Sequence, residues 1–359
     1  MPAAARDRAL AFCARFGLRA PILQAPMAGA SPAPLAAAVA NAGGLGALGA
    51  LLTAPGGIRD WAAEFRGRSN GGFQINLWIP DPPPLRDAGH EARVRAVLSR
   101  VGGGVAVPEA GPGPFLPDFG AQLGAILDAA PPVVSSIMGL FPPDFAAELK
   151  ARGIAWFANA TTVAEACAAE AAGADAVVAQ GAEAGGHRGS FEPGAADAQT
   201  VGLFALLPQV ADAVSVPVIA AGGIMDGRGV AAALTLGASA AQPGTAFLRC
   251  PEAAIHPKWA EALAGARPED TVLTRAFSGR LARGLRNRVT EAFAAGSGVE
   301  AAPYPVQRAL MGAVRSAAEK AGDAGAMQTW AGQGAALARA EPAGDVVRRL
   351  WDGAQALLP

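Results

Sequence analysis

Cysteine is the first scarcity in this chain. Cys13, Cys167 and Cys250 are odd in number and widely spaced, which excludes a disulfide framework and a CxxC metal site. They read as the reduced thiols of a cytoplasmic protein. Histidine is as rare: His90, His187 and His256 show no metal-ligand spacing, so no bound metal is expected. Charge of both signs is thin. Charged residues make up 16% of the chain, the net charge is −1 and no basic run occurs, which argues against nucleic acid or an anionic membrane as partner. Long apolar runs are missing too. The mean hydropathy of +0.27 comes largely from alanine, and Gly, Pro or charge interrupts each alanine-rich segment before it reaches bilayer length. The N-terminal MPAAARDRALAFCARFG carries Arg6, Asp7, Arg8 and Arg15 through its apolar part, so it reads as an amphipathic helix without the apolar core of a signal peptide. Two catalytic patterns are also absent. Glu183 has no partner carboxylate at a spacing useful for glycoside hydrolysis, and no Ser stands in a GxSxG turn.

What the chain has is a strand–helix rhythm. Its 359 residues permit one large α/β barrel or two smaller domains. Short apolar runs end in turns at Ile22–Met27, Gly43–Gly49, Phe73–Trp78 and Val133–Ile137, then at Ile154–Ala158, Ala176–Ala179, Pro217–Ala221 and Ala238–Gln242. Helical stretches separate them, among others at 36–41, 143–152, 162–172, 199–213 and 230–237. Eight such alternations predict an α/β fold of the (β/α)8 TIM-barrel type. An open doubly wound sheet is the rival, but no GxGxxG follows the first strand. Residues 79–130 interrupt the rhythm after the third strand. This Pro/Gly-rich insertion, helical near 86–100 and 119–129, is expected to cover one rim of the barrel. Residues 1–250 are therefore expected to form the barrel, and 251–359 a helical extension packed on it and covering the active site. Within that extension, Arg275–Thr290 is Arg-rich and polar, and helices are expected at 305–320, 323–339 and 343–357.

In such barrels chemistry sits at the C-terminal ends of the strands. The stretch AVVAQGAEAGGHRG, Ala176 to Gly189, opens a buried strand into a glycine-rich loop carrying His187. Paired glycines let a flat ligand approach the main chain, and His is the side chain whose pKa lies nearest neutrality. A His that merely hydrogen-bonds a neighbour is the plain alternative. Gly222-Gly223 follows the seventh strand, with Asp226 placed to cap the next helix, and Gln242-Pro243-Gly244-Thr245 follows the eighth. Loops in these two places form the usual phosphate site of a barrel through free backbone N–H groups, with simple tight turns as the alternative. Gln74, Asn76 and Trp78 share one face of the third strand. Buried Asn76 and Gln180 need hydrogen-bond partners, from the protein, from a water or from the heteroatom edge of a bound ring. His90 and His256 are assigned to the surface or to local caps. The single tyrosine, Tyr304, in a chain with 14 Phe suggests a use for its hydroxyl.

Together, APM at 25–27, FQINLW at 73–78, VAQGAEAGGHRG at 178–189, AAGGIMDGRG at 220–229 and QPGTAFL at 242–248 resemble the nitronate monooxygenases over almost the whole chain. ARGLRNR at 282–288, PYPVQ at 303–307 and WAGQG at 330–334 resemble the C-terminal region of the bacterial class I members. QGAEAGGH and AAGGI alone are shared with flavin-dependent enoyl-ACP reductases. The resemblance implies FMN as cofactor, without metal. Its ring would contact the backbone of Ala25, Pro26 and Met27, with Asn76, Gln180 and Gly185. Its phosphate would lie on Gly222, Gly223, Gln242, Pro243, Gly244 and Thr245. His187 matches the catalytic His, Tyr304 a substrate-binding phenol, and Trp78 is placed to line the pocket. The reaction implied is the detoxifying oxidation of alkyl nitronates, or of nitroalkanes, by O2 to a carbonyl compound and nitrite through a flavin semiquinone. An NAD(P)H-dependent enoyl-ACP reductase, a non-redox phosphate-binding barrel enzyme and a non-catalytic binding protein are the alternatives. The expected partners are a small nitronate and O2, with no nucleic acid and no membrane, in a monomer or homodimer.

Overall fold

The computed structural model describes residues 4–358. Met1 to Ala3, at the start of the expected N-terminal helix, and Pro359, at the end of the extension, lie outside the described residues. Strands β1 (Gly46–Gly49), β2 (Phe73–Trp78), β3 (Val133–Ile137), β4 (Ala155–Ala160) and β5 (Ala176–Gln180) run parallel in that order. A short β6 (Gly186–His187) stands apart, and β7 (Val218–Ala221) and β8 (Ala240–Ala241) continue the sheet beside β5. The expected first strand is reduced to single bridges, Ile22 to Ala241 and Leu23 to Leu45. These are enough to join β8 to β1. Leu23 N–H donates to the Ala241 carbonyl at 2.8 Å and Gln24 N–H to that of Leu45 at 2.9 Å, so the sheet curls into the expected TIM-barrel-like ring.

Period-two alternation sorts the strand residues. Outward-facing Ile75, Val134, Ala158, Val177 and Ala220 pack under the helices. Inward-facing Leu23, Leu45, Val133, Phe157, Val178 and Ile219 fill the lower barrel, where Phe12 and Phe16 of the helix Ala5–Phe16 close it from below. Phe16 meets Phe157 edge to face at 5.0 Å. The upper interior changes character, with Gln74, Asn76, Ser135, Asn159 and Gln180 buried there. Such a polar layer has to be satisfied from within or by a ligand.

The remaining chain departs from expectation in instructive ways. The helix after β7 begins at Gly227, because Asp226 accepts from Arg228 N–H at 3.0 Å and Gly229 N–H at 3.2 Å. The expected 305–320 helix is divided at Met311 into Val306–Leu310 and Gly312–Ala321. No helix forms over 323–339 apart from one 3-10 turn, Ala335–Leu337. Backbone crowding explains this: a Cβ on Gly332 would stand 2.8 Å from the Glu183 carbonyl oxygen, so the segment is threaded against the His187 loop and cannot coil. The Arg-rich stretch holds a structure that its polarity concealed. β9 (Thr271–Thr274) and β10 (Ala282–Leu285) pair antiparallel, and β10 also pairs with β6, placing Ala282 opposite His187. The insertion helix Ala88–Val101 shares a core with this region through Val94, Leu98, Phe277, Leu310 and Met311. The helix Ala343–Gln355 packs on the barrel helices Ala33–Asn41 and Gly227–Thr235. Among the described residues no helix is long and apolar enough to cross a membrane.

Candidate active site

A cavity of about 630 Å³ opens at the C-terminal ends of the barrel strands. Every residue that the sequence places in the site lines it, from Ala25–Met27 and Asn76 to Tyr304. Its volume lies within the range of small-molecule sites.

One end is made of main chain. Gly222 (φ 121°) and Gly223 (φ 68°) turn the backbone after β7 in a way closed to other residues. Gly244 and Thr245 follow β8 beside them. The N–H groups of these four residues meet no protein acceptor among the described residues, which makes an anion cradle at the end of two neighbouring strands. The Thr245 hydroxyl accepts from Gly332 N–H at 3.0 Å and keeps its own O–H to donate. Gln242 Oε1 accepts from Gln74 Nε2 at 3.1 Å, so the buried Gln74 orients Gln242 toward the cavity.

The other end is built around His187. Gln180, the last residue of β5, spans the loop: its Nε2 donates to the His187 carbonyl at 2.9 Å and its Oε1 accepts from Gly189 N–H at 2.8 Å. Gln180 thus keeps only one N–H and one lone pair for a ligand. Asn76 likewise donates to Ser135 Oγ at 3.0 Å and leaves its Oδ1 without a partner among the described residues. Arg188 braces the loop from behind, donating to the carbonyls of Gln180, of Thr161 at 3.1 Å and of Gln199 at 2.8 Å. Trp78 and Trp330 meet the imidazole edge-on, at 4.6 and 5.0 Å, and exclude water from its flanks. Ser278 Oγ stands 2.8 Å from His187 Nε2 and donates to the Arg280 carbonyl at 3.2 Å. A Ser278 proton given to the Arg280 carbonyl would make Nε2 the donor and leave Nδ1 the free lone pair of a neutral ring.

Charge completes the picture. Burial, with Arg280 and Arg308 nearby, pulls the His187 pKa down from 6.5 to about 3. Arg308 lines the cavity and makes no hydrogen bond or ion pair among the described residues. Burial, reinforced by Arg315, lowers its pKa. Tyr304 stacks obliquely on Trp78 at 5.6 Å. Its buried hydroxyl has no partner among the described residues, and desolvation raises its pKa, so it remains a proton donor. The Asn159 amide nitrogen is a second buried donor without an acceptor. A site with unpartnered donors, a free cation and a neutral imidazole is built for an anion whose neighbouring proton can move. His90 sits partly exposed in a helix, and His256 Nδ1 caps its own helix by accepting from Lys258 N–H at 3.1 Å, although His256 also lines the cavity. Among the described residues no cluster suited to a metal occurs.

Four residues of the site escaped the sequence reading: Ser278, Trp330, Arg308 and Asn159. Trp330 begins the WAGQG segment and Arg308 directly follows PYPVQ, so both stood beside recognised motifs. Ser278 and Asn159 carried no local signal.

The family model described as nitronate monooxygenase matches residues 12–353. A nitronate monooxygenase of Paraburkholderia phytofirmans is 44% identical over 338 residues, covering 93% of this chain and 92% of that protein. One of Pseudomonas aeruginosa is 44% identical over 358 residues, covering 94% and 97%. Among solved structures, nitroalkane oxidase from Streptomyces ansochromogenes is 40% identical, with a TM-score of 0.87 over 97% of this chain and 99% of that one. FabK from Thermotoga maritima is 30% identical, with a TM-score of 0.74 over 97% and 96%.

Proposed function

The chain belongs to the nitronate monooxygenase family and is an oxidoreductase; from that premise we propose that it holds FMN in the cavity above the barrel and uses O2 to convert alkyl nitronates into a carbonyl compound and nitrite. The observation that carries this reading is the pairing, in one cavity, of a backbone anion cradle with a neutral, buried His187. The residues present fit the cofactor. Four free N–H groups at Gly222, Gly223, Gly244 and Thr245 suit a phosphate. Asn76 Oδ1, the spare N–H and lone pair of Gln180, and the unpartnered Asn159 amide suit the heteroatoms of a flavin ring. A Cβ on Gly244 would come to 3.2 Å from that of Ala25, so glycine lets this loop lie close against Ala25 and Met27.

FMN, when bound, supplies the acceptor for the substrate's electrons. The protein's own residues do the rest. Arg308 and the Tyr304 hydroxyl hold the anionic nitro group or another anionic part of the substrate. His187 donates through Nε2 to Ser278, which fixes the ring, and presents Nδ1. On a preformed nitronate the imidazole serves orientation. On a neutral nitroalkane Nδ1 takes the α-proton, after which the substrate is the same anion. Trp78 and Trp330 keep water from that nitrogen. The segment 251–358, which supplies Ser278, Tyr304, Arg308 and Trp330, acts in this proposal as the cover of the barrel site.

Purified protein is expected to be yellow and to release FMN stoichiometrically on denaturation, identified by chromatography. A colourless protein that FMN does not reconstitute contradicts the proposal.

A further inference from the structure

Arg280 is almost fully buried, yet its side chain does not enter the reaction as described. Its guanidinium joins three separate segments. Nε donates to Asp81 Oδ2 at 2.8 Å, with a second bond from Nη2 to Oδ1. Nη1 donates to the Ser190 carbonyl at 2.9 Å and lies 2.8 Å from Met138 Sδ. Asp81 opens the insertion just after β2, Ser190 ends the His187 loop, and Met138 follows β3 with a left-handed φ of 71°. The backbone of Arg280 meanwhile grips the partner of the imidazole: its N–H donates to Ser278 Oγ at 3.3 Å and its carbonyl accepts from that hydroxyl at 3.2 Å. One residue further, the Leu281 carbonyl accepts from Arg188 N–H at 2.9 Å, and Ala282 pairs with His187. The position and donor direction of the Ser278 hydroxyl therefore depend on where Arg280 is anchored.

The anchor is a carboxylate. Asp81 is the sole ion-pair partner of Arg280 among the described residues, and its side chain is itself only 17% exposed. A paired, multiply bonded guanidinium in a buried place has one geometry, whereas removal of one partner leaves a buried charge that must move toward water.

We propose that Asp81 is a positioning residue for His187, acting through Arg280 and Ser278, and that the insertion following β2 serves the reaction by delivering this carboxylate. This rests on the role given to His187 above. The insertion is thereby more than a rim cover: its first turn holds the hydrogen bond that selects the His187 tautomer.

The test uses the FMN-loaded enzyme and two variants, Asp81→Asn and Arg280→Lys. Asparagine keeps the shape of Asp81 and removes its charge; lysine keeps the buried cation and loses the forked contact. The chain has only three histidines, so ¹⁵N-histidine labelling resolves the His187 ring nitrogens from those of His90 and His256. In the wild type His187 is expected as the neutral Nε2–H tautomer. In each variant that tautomer is expected to become mixed, with His90 and His256 unmoved, and turnover per bound flavin to fall about 10- to 100-fold, as misplacement of a reacting group does. If Asp81→Asn is not recovered folded, Arg280→Lys decides alone. Unchanged His187 signals, or unchanged turnover per bound flavin, in the variants that fold overturn the proposal. The nitrogen signals do not depend on turnover, so a failure of the His187 role itself, shown by His187→Asn, is told apart from a failure of the Asp81 link.

Discussion

His187→Asn is expected to lower turnover of neutral nitroalkanes by about 10²- to 10⁴-fold, the range a positioned general base supplies. FMN content should stay at the wild-type level, because the main-chain N–H groups of the cradle at Gly222, Gly223, Gly244 and Thr245 are untouched by the substitution. Preformed nitronates have already lost the proton and should still be oxidised, with a raised KM from the lost orientation. Steady-state assays with a nitroalkane and its nitronate, normalised to bound flavin, separate the two. Equal loss on both forms contradicts the base assignment, and loss of flavin makes His187 structural. The pH dependence has a definite sign. A free imidazole near 6.5 would switch nitroalkane oxidation off below neutrality, but burial and the Arg280 and Arg308 charges bring the pKa to about 3. His187 therefore remains a base throughout about pH 5 to 8, and the acid limb should lie well below 6.5. The same depression makes the stability of the fold depend on pH. That stability is complete above 6.5, where the unfolded chain too is neutral, and is lost as pH falls from 6.5 toward 3, since the unfolded state binds the proton first.

Arg308→Met is expected to raise KM for nitronates by about 10- to 100-fold, the equivalent of one lost charge-assisted hydrogen bond. Its guanidinium lines the cavity, is partly buried and meets no carboxylate among the described residues. Such a desolvated cation does not stabilise the apo fold, so an apolar side chain of similar length should leave the melting temperature unchanged or higher. Binding should weaken while stability does not, a combination that a purely structural arginine does not produce. Loss of the charge should also let the His187 pKa rise toward its usual value and move the acid limb upward. Unchanged KM for anionic substrates, measured beside thermal unfolding, removes Arg308 from substrate binding.

How far the sequence could be read depended on whether a property was local. Strand β2 was legible within one residue because FQINLW combines apolar alternation with polar residues that only a cavity wall satisfies. The loops at 222–223 and 242–245 were legible because glycines at strand ends are local signals, and the structure brings them together. The segment 323–339 was misread as a helix, since its apolar spacing is local while the crowding at Gly332 and Gly334 against Glu183 and Met225 is not. Strands β9 and β10 went unseen for a related reason. Arg280, between them, and Arg283, in β10, look solvent-facing in sequence but are buried by partners far away, Asp81 in one case and the Ala182 carbonyl in the other. Ser278 is the sharpest instance. Nothing in its neighbours announces a hydroxyl 2.8 Å from a histidine about ninety residues earlier. The glycine-rich motif singled out His187 as a candidate, and only the fold could name its neighbours.

The motifs QGAEAGGH and AAGGI, shared with flavin-dependent enoyl-ACP reductases, keep one rival reaction in view, flavin reduction by a nicotinamide. The most direct test of the central claim is therefore anaerobic stopped-flow mixing of the flavin-loaded enzyme with ethyl nitronate and, separately, with NADH and NADPH. The account predicts rapid change of the flavin spectrum with the nitronate and none with either nicotinamide. Rapid bleaching by NADH or NADPH, with no response to the nitronate, would contradict it.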